Sequence, residues 1–169
     1  TIRIKSQLVN REYEAIVRGK KQKYSMELTT TGAGTYLKGL FQLSEVLFSA
    51  PKNVGYLKLL ISLFEKEPFI VLDFFAGSGT TGDAVIQLNA EDGGSRKYIM
   101  VQIPEPLDID KKEDKPAIEF LKSIKKPLNI CEIGKERIRR AGEKIKNDES
   151  LPVENREKLD IGFKVFKLD

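Results

Sequence analysis

Asp73, Gly77, Ser78, Gly79 and Thr80 are the residues of this 169-residue chain whose types and spacing can do chemistry. The carboxylate is an acceptor suited to a ligand's ammonium group. Gly77 and Gly79 allow a tight turn and a close backbone approach that a side chain would block. A helix starting just after them would direct free N–H groups and its dipole at an anion. Such a stretch fits a ligand that carries both an amine and a carboxylate.

The flanking residues supply the elements that hold this stretch in place. Residues 68–75 form a short apolar run interrupted only by Asp73, which predicts a strand buried on both faces, as in a parallel sheet. Thr80 or Thr81 is a candidate cap for the following helix, with Ala84, Val85 and Leu88 as its inner stripe and residues 89–94 as its stop. A second strand is expected at 97–103. Its end should lie beside the first strand's end, where ligands bind in open α/β sheets. Before the glycines, Asn53 can cap a helix whose stripe is Val54, Leu57, Ile61 and Phe64.

Three cofactor classes use a glycine turn of this kind. A P-loop requires a lysine after its last glycine, and none follows here. Gly77, Gly79 and Gly82 do fit the G-x-G-x-x-G of a dinucleotide site. That reading expects an acid roughly 20 residues on to bind a ribose, and Gln102 stands at the end of the next strand instead. Dinucleotide folds also tend to run the strand directly into the first glycine, whereas Asp73 precedes Gly77 by four positions. The offset suits the methionine part of S-adenosylmethionine, with its ammonium on Asp73 and its carboxylate at the helix start. Gln102 is then either a polar strand end or a ribose contact.

The run Asp73-Phe74-Phe75-Ala76-Gly77-Ser78-Gly79-Thr80-Thr81 resembles the cofactor motif of DNA amino-methyltransferases of the beta arrangement. Residues 87–105, 132–141 and 159–166 resemble the modification subunit of type III restriction-modification systems, and the similarity runs from about Leu43 to the end. The resemblance implies an α/β fold: a Rossmann-like S-adenosylmethionine-dependent methyltransferase sheet with flanking helices, incomplete in this chain. It assigns cofactor binding to Asp73, Phe74, Phe75, Ala76, Gly77, Ser78, Gly79 and Thr80, with Gln102 on the ribose hydroxyls. Pro51-Lys52 matches the cofactor-side motif of that arrangement, with Asn53 where the family has a second proline, and Lys52 becomes a contact to the methionine carboxylate. Residues 1–42 would be the tail of the target-recognition region or a linker, and 43–169 the cofactor-binding part, with an insertion at about 104–129. In the family the catalytic clamp is an acid- or Asn-Pro-Pro-aromatic tetrad, and no such tetrad occurs here, so no catalytic residue is assigned. The resemblance further implies an adenine target in double-stranded DNA, a homodimer and a helicase-nuclease restriction subunit as partner. The first residue is Thr1 rather than methionine, as expected of a fragment or a processed chain.

Composition bounds these readings. At 40% apolar and 32% charged, the chain can bury one ordinary core. Nothing reads as a membrane span or a signal peptide, so a cytoplasmic protein is the simplest expectation. With no histidine and only Cys131, histidine bases, histidine metal ligands and cysteine-rich zinc sites are excluded. Cys131 itself reads as a small buried apolar residue. Residues 1–24 hold seven Lys or Arg against two Glu. Arg18, Lys20, Lys21 and Lys23 therefore form either a DNA-phosphate contact or a solvated face.

Elsewhere, residues 1–9 alternate weakly like a strand, 13–17 fit either state, and 29–35 read as a Thr/Gly loop. Residues 104–129 read as a solvated segment with a short helix at 117–124. A helix is expected at 130–146 through Ile133, Ile138, Ala141 and Ile145, with Arg137, Arg140 and Lys144 on a shared side that is more often a solvated face than a DNA contact. Residues 159–168 alternate as a strand. Two further readings stay open: a dinucleotide-dependent oxidoreductase domain, and a non-catalytic DNA-binding or assembly module.

Overall fold

The computed structural model describes residues 11–17, 20–26, 30–64 and 68–167, with side chains from residue 31 onward. The expected strand at 1–9 and Arg18 lie outside the described residues. Strands β1 (Arg11–Val17) and β2 (Lys20–Met26) pair antiparallel, Val17 opposite Lys20 and Arg11 opposite Met26. Residues 13–17, left open between helix and strand, are thus strand.

Helix α1 (Thr30–Phe41) includes residues that the sequence reads as a loop. Gly34 and Gly39 lower its intrinsic propensity by about 1 kcal/mol each. Packing decides the matter: Ala33, Leu37, Leu40 and Phe41 are all buried, and full burial of one such leucine stabilises by roughly 1.5–3 kcal/mol. Helix α2 (Val54–Ser62) begins as expected, with Asn53 Oδ1 accepting from the Tyr56 N–H at 3.3 Å. Its stripe includes Val54 and Ile61, but Phe64 lies past the helix end and is 66% exposed.

The centre of the molecule is the unit β3 (Ile70–Asp73), α3 (Thr80–Asp92) and β4 (Lys97–Met100), in which β3 and β4 pair in parallel from Ile70 opposite Lys97 to Asp73 opposite Met100. Both strands form where expected, each shorter than its apolar run. Helix α3 ends on Gly93 at φ +71, and Asn89 then bonds the backbone of Arg96 in both directions, fixing the turn into β4. The expected burial of both sheet faces is not found. Val71, Tyr98 and Met100 pack against helices, whereas Ile70, Leu72 and Ile99 are 58%, 51% and 51% exposed. One apolar face of a two-stranded parallel sheet is bare, as in an incomplete α/β methyltransferase fold.

Helices α4 (Lys115–Ser123), α5 (Ile130–Lys146) and α6 (Val153–Lys158) complete the chain. Residues 108–113 are exposed, but α4 sends Ala117, Phe120 and Leu121 into a core shared with α1 and α5, so the segment is only partly solvated. The main-chain pairing of Pro106 with Asn129 closes that excursion. Helix α5 has the expected bounds, and Asn129 caps it by accepting from the Glu132 N–H. No strand forms at 159–167: Leu159, Ile161 and Phe163 turn toward α3 and α5, while no partner strand stands beside them among the described residues. Helix α3 separates two cores, with Val85 and Leu88 facing α2 and Ile86 and Ala90 facing α5, and a helix apolar on several sides belongs in the interior. No helix among the described residues is long and apolar enough to cross a membrane.

Candidate functional site

Asp73 ends β3, and its peptide remains in the sheet ladder: the Val101 N–H donates to Asp73 O at 2.8 Å and the Ala76 N–H to Val101 O at 3.2 Å. The side chain then shapes the loop. Asp73 Oδ1 accepts from the Phe75 N–H at 2.9 Å, and Oδ2 accepts from the Thr81 hydroxyl at 2.5 Å. Each carboxylate oxygen retains a second lone-pair direction, so an incoming ammonium still finds an acceptor.

The glycine turn is required by conformation at two points. Gly77 has φ +51 and Gly79 φ +79, a region that side chains disfavour. A Cβ on Gly79 would also stand 2.9 Å from the carbonyl oxygen of Gly134 on α5. The loop therefore lies backbone against backbone on that helix. The N-cap of α3 is Gly79 itself, without a side-chain cap. The expected capping by Thr80 or Thr81 fails because the helix starts earlier than they require, with both already in its first turn, where Thr81 donates to Asp73 and Thr80 accepts from Arg137.

Exposure divides the motif. Phe74 and Phe75 are 63% and 91% exposed, and Ala76 and Gly77 are half-buried, whereas Ser78, Gly79 and Thr80 are buried. Gln102 meets the loop: its Oε1 accepts from the Gly77 N–H at 2.8 Å, and its Nε2 donates to Ile103 O at 3.1 Å. Gly77's own N–H is thus occupied, and an anionic group is left with the first-turn donors of α3. Lys52 is exposed, next to the cap of α2. Phe48, four residues earlier, approaches within 3.7 Å of the Gly77 Cβ position, so this segment passes beside the loop. A cavity of about 260 Å³ opens between α1 and residues 46–51, with Thr31, Thr35, Lys38 and Ser49 on its wall. Cys131 is half-buried, its thiol directed at Gln102 O at 3.5 Å, and burial pushes its pKa up, so it is a poor nucleophile.

Behind the loop lies a group expected on a solvated or DNA-facing side of α5. Arg137 is 0% exposed, as is Asp83. Arg137 Nε donates to Asp83 Oδ2 at 2.9 Å, and Nη1 donates to Thr80 Oγ1 at 2.7 Å and Ser78 Oγ at 3.1 Å. The other carboxylate oxygen of Asp83 accepts from the Tyr36 hydroxyl at 3.1 Å and from Gln87 Nε2 at 2.8 Å. Burial first, and then the Asp83 charge, push the Tyr36 phenol far above its ordinary value. Arg140 is half-buried over the rings of Phe41 and Phe120, at 5.3 and 5.2 Å, and only Lys144 of the three keeps an exposed position. The sequence did carry the signal: Arg137 lies four residues after Ile133 and four before Ala141, inside the apolar stripe of α5.

Of the basic residues proposed to meet DNA, Lys20, Lys21 and Lys23 lie on β2, opposite Val17, Ile16 and Glu14. Among the described residues no group of three His, Cys, Asp or Glu is placed to hold a metal ion.

A strand-end carboxylate, a glycine turn and a helix start thus lie together at the carboxyl edge of a parallel pair. The chain belongs to the DNA methylase family, whose profile matches residues 9–143. It is 38% identical over 121 residues to the Mod subunit of the type III restriction-modification enzyme StyLTI of Salmonella typhimurium, covering 72% of this chain and 16% of that protein. It is 37% identical over 143 residues to the EcoPI Mod subunit of Escherichia phage P1, covering 85% and 20%, and 35% identical over 160 residues to the EcoP15I Mod subunit of Escherichia coli, covering 93% and 21%. The chain therefore spans about a fifth or less of the length of these relatives.

Proposed function

We propose that this chain is the S-adenosylmethionine-binding part of a DNA adenine amino-methyltransferase of a type III restriction-modification system, built on a Rossmann-like sheet of which β3 and β4 are two strands. The observation that carries the reading is the position of the Asp73 carboxylate, one glycine turn before the α3 N-terminus, in a chain of the DNA methylase family.

When bound, the cofactor supplies an electrophilic methyl group on a sulfonium whose departure leaves a neutral thioether. The protein's task is therefore alignment more than proton transfer. The free lone-pair directions of Asp73 take the ammonium. Phe74 and Phe75 offer apolar surface at the mouth, and Ala76 and Gly77 let the ligand approach the backbone. The carboxylate is drawn to the first turn of α3 and to Lys52. Gln102 Oε1 retains one lone-pair direction for a ribose hydroxyl while it holds Gly77. Arg18, Lys20, Lys21 and Lys23 supply positive charge for the phosphates of double-stranded DNA. The clamp on the amine of a flipped base comes from outside these 169 residues, which contain no Pro-Pro tetrad. The whole protein would act in the cytoplasm as a homodimer with a helicase-nuclease restriction subunit.

Thermal melting of the intact polypeptide that carries this chain separates the readings. S-adenosylmethionine should raise the melting temperature, with about 2.7 kcal/mol of stabilisation at a hundredfold excess over Kd. A shift with NAD(H) and none with S-adenosylmethionine would move the assignment to a dinucleotide oxidoreductase, and binding of DNA with neither cofactor would leave an assembly module.

A further inference from the structure

Ser78 and Thr80 belong to the glycine motif by sequence, yet their side chains point away from its exposed half and into the protein. Both hydroxyls converge on one guanidinium, from a residue more than fifty positions later in the chain. We propose that Arg137 is a positioning residue for the cofactor loop, and that Ser78 and Thr80 serve as its anchor points rather than as ligand contacts. This rests on the reading of the loop as the S-adenosylmethionine site.

The geometry gives the reason. The turn that follows Asp73 must leave its carboxylate and the start of α3 open to a ligand, and the two left-handed glycines, Gly77 and Gly79, leave that turn with little conformational preference of its own. Arg137 fixes it from behind at three points: Ser78 Oγ, Thr80 Oγ1 and, through Nε, Asp83 one turn further along α3. Asp83 neutralises the buried cation, and Tyr36 and Gln87 hold Asp83 in turn. The planar fork matters here, because a lysine ammonium in the same place is a point charge that cannot span Asp83 and both hydroxyls. Gly134, one turn earlier on α5, is the second support: a Cβ there would lie 3.2 Å from Gly77 O. Helix α5 thus acts as a rigid backing plate, and the loop's shape depends on it before any ligand arrives.

The test uses the intact polypeptide with Arg137→Lys, Thr80→Val and the double variant, comparing S-adenosylmethionine Kd by calorimetry with amide hydrogen exchange of the ligand-free protein. Arg137→Lys should raise Kd roughly tenfold, as expected for loss of a charge-assisted hydrogen bond. Thr80→Val should do nearly the same, and the double variant should be far weaker in effect than the product of the two, because one acts through the other. Without ligand, Arg137→Lys should speed exchange at residues 77–80 and leave the β3–β4 ladder protected. Two multiplying effects, an unchanged Kd for Arg137→Lys, or uniform loss of protection across the fold would each overturn the proposal. If the parent protein binds no S-adenosylmethionine, the cofactor reading fails by itself. The exchange pattern then still decides whether Arg137 sets the loop.

Discussion

Alanine at Gly79 and at Gly77 should differ in cost, and the difference isolates the contact between the glycine loop and α5. Both positions are left-handed, at φ +79 and +51, so a Cβ costs about 1–2 kcal/mol at either through conformation alone. At Gly77 that is nearly the whole penalty, since the nearest side-chain atom, Phe48 Cζ, would be 3.7 Å away in ordinary contact. At Gly79 the new carbon meets Gly134 O at 2.9 Å and Gly134 Cα at 3.2 Å. That is backbone against backbone, and neither helix can yield without moving its own hydrogen bonds. Overpacking of this kind adds roughly 1–3 kcal/mol. Gly79→Ala should therefore destabilise by about 2–5 kcal/mol and Gly77→Ala by about 1–2. Urea unfolding of both variants beside the parent, with unchanged slope, reads the gap directly. Equal midpoints for the two variants would refute the close seating of the loop on α5.

Asp83→Ala leaves the Arg137 cation buried and unpaired and should cost about 3–5 kcal/mol, while Asp83→Leu combined with Arg137→Leu should cost far less than the sum of the single changes. Denaturation curves of the singles and the double check this, and simple additivity would deny the pair. Two half-buried phenols set an alkaline limit. Burial, then the Asp160 charge, push Tyr98 up to about 12, and Tyr36 is raised further. A folded pKa above the unfolded value means that the contribution is complete below pH about 10 and is lost as pH rises through about 12. Stability should fall across that window, and Tyr98→Phe should flatten the fall; an identical pH profile for the variant would show that Tyr98 is not the group responsible.

Much of this arrangement is legible in the sequence because local signals and tertiary packing agree. Asn53 caps the helix it precedes, Gly93 ends α3 within the expected stop at 89–94, and the runs at 70–73 and 97–100 pair as a parallel ladder. The misreadings share one cause, a pattern judged without its partner. Residues 29–35 look like a loop because Gly34 and the threonines disfavour helix, yet from Thr30 on they are helical because Leu37, Leu40 and Phe41 of the same helix pack into a core shared with α4 and α5. The alternation after Leu159 is real, but a strand needs a neighbour, and these side chains instead cover α3 and α5. The charge of Arg137 suggests a solvated or DNA-facing side, although its helical phase puts it in the apolar stripe. Asp83, fifty-four positions earlier, supplies the opposite charge that offsets that burial.

Calorimetric titration of S-adenosylmethionine into the intact polypeptide and its Asp73→Ala variant bears most directly on the central claim. Loss of one charge-assisted contact should weaken binding by about 1.5–3 kcal/mol, roughly ten- to a hundredfold, with a cooperative melt retained. Equal affinity for the two proteins would show that the carboxylate at the end of β3 does not hold the ligand.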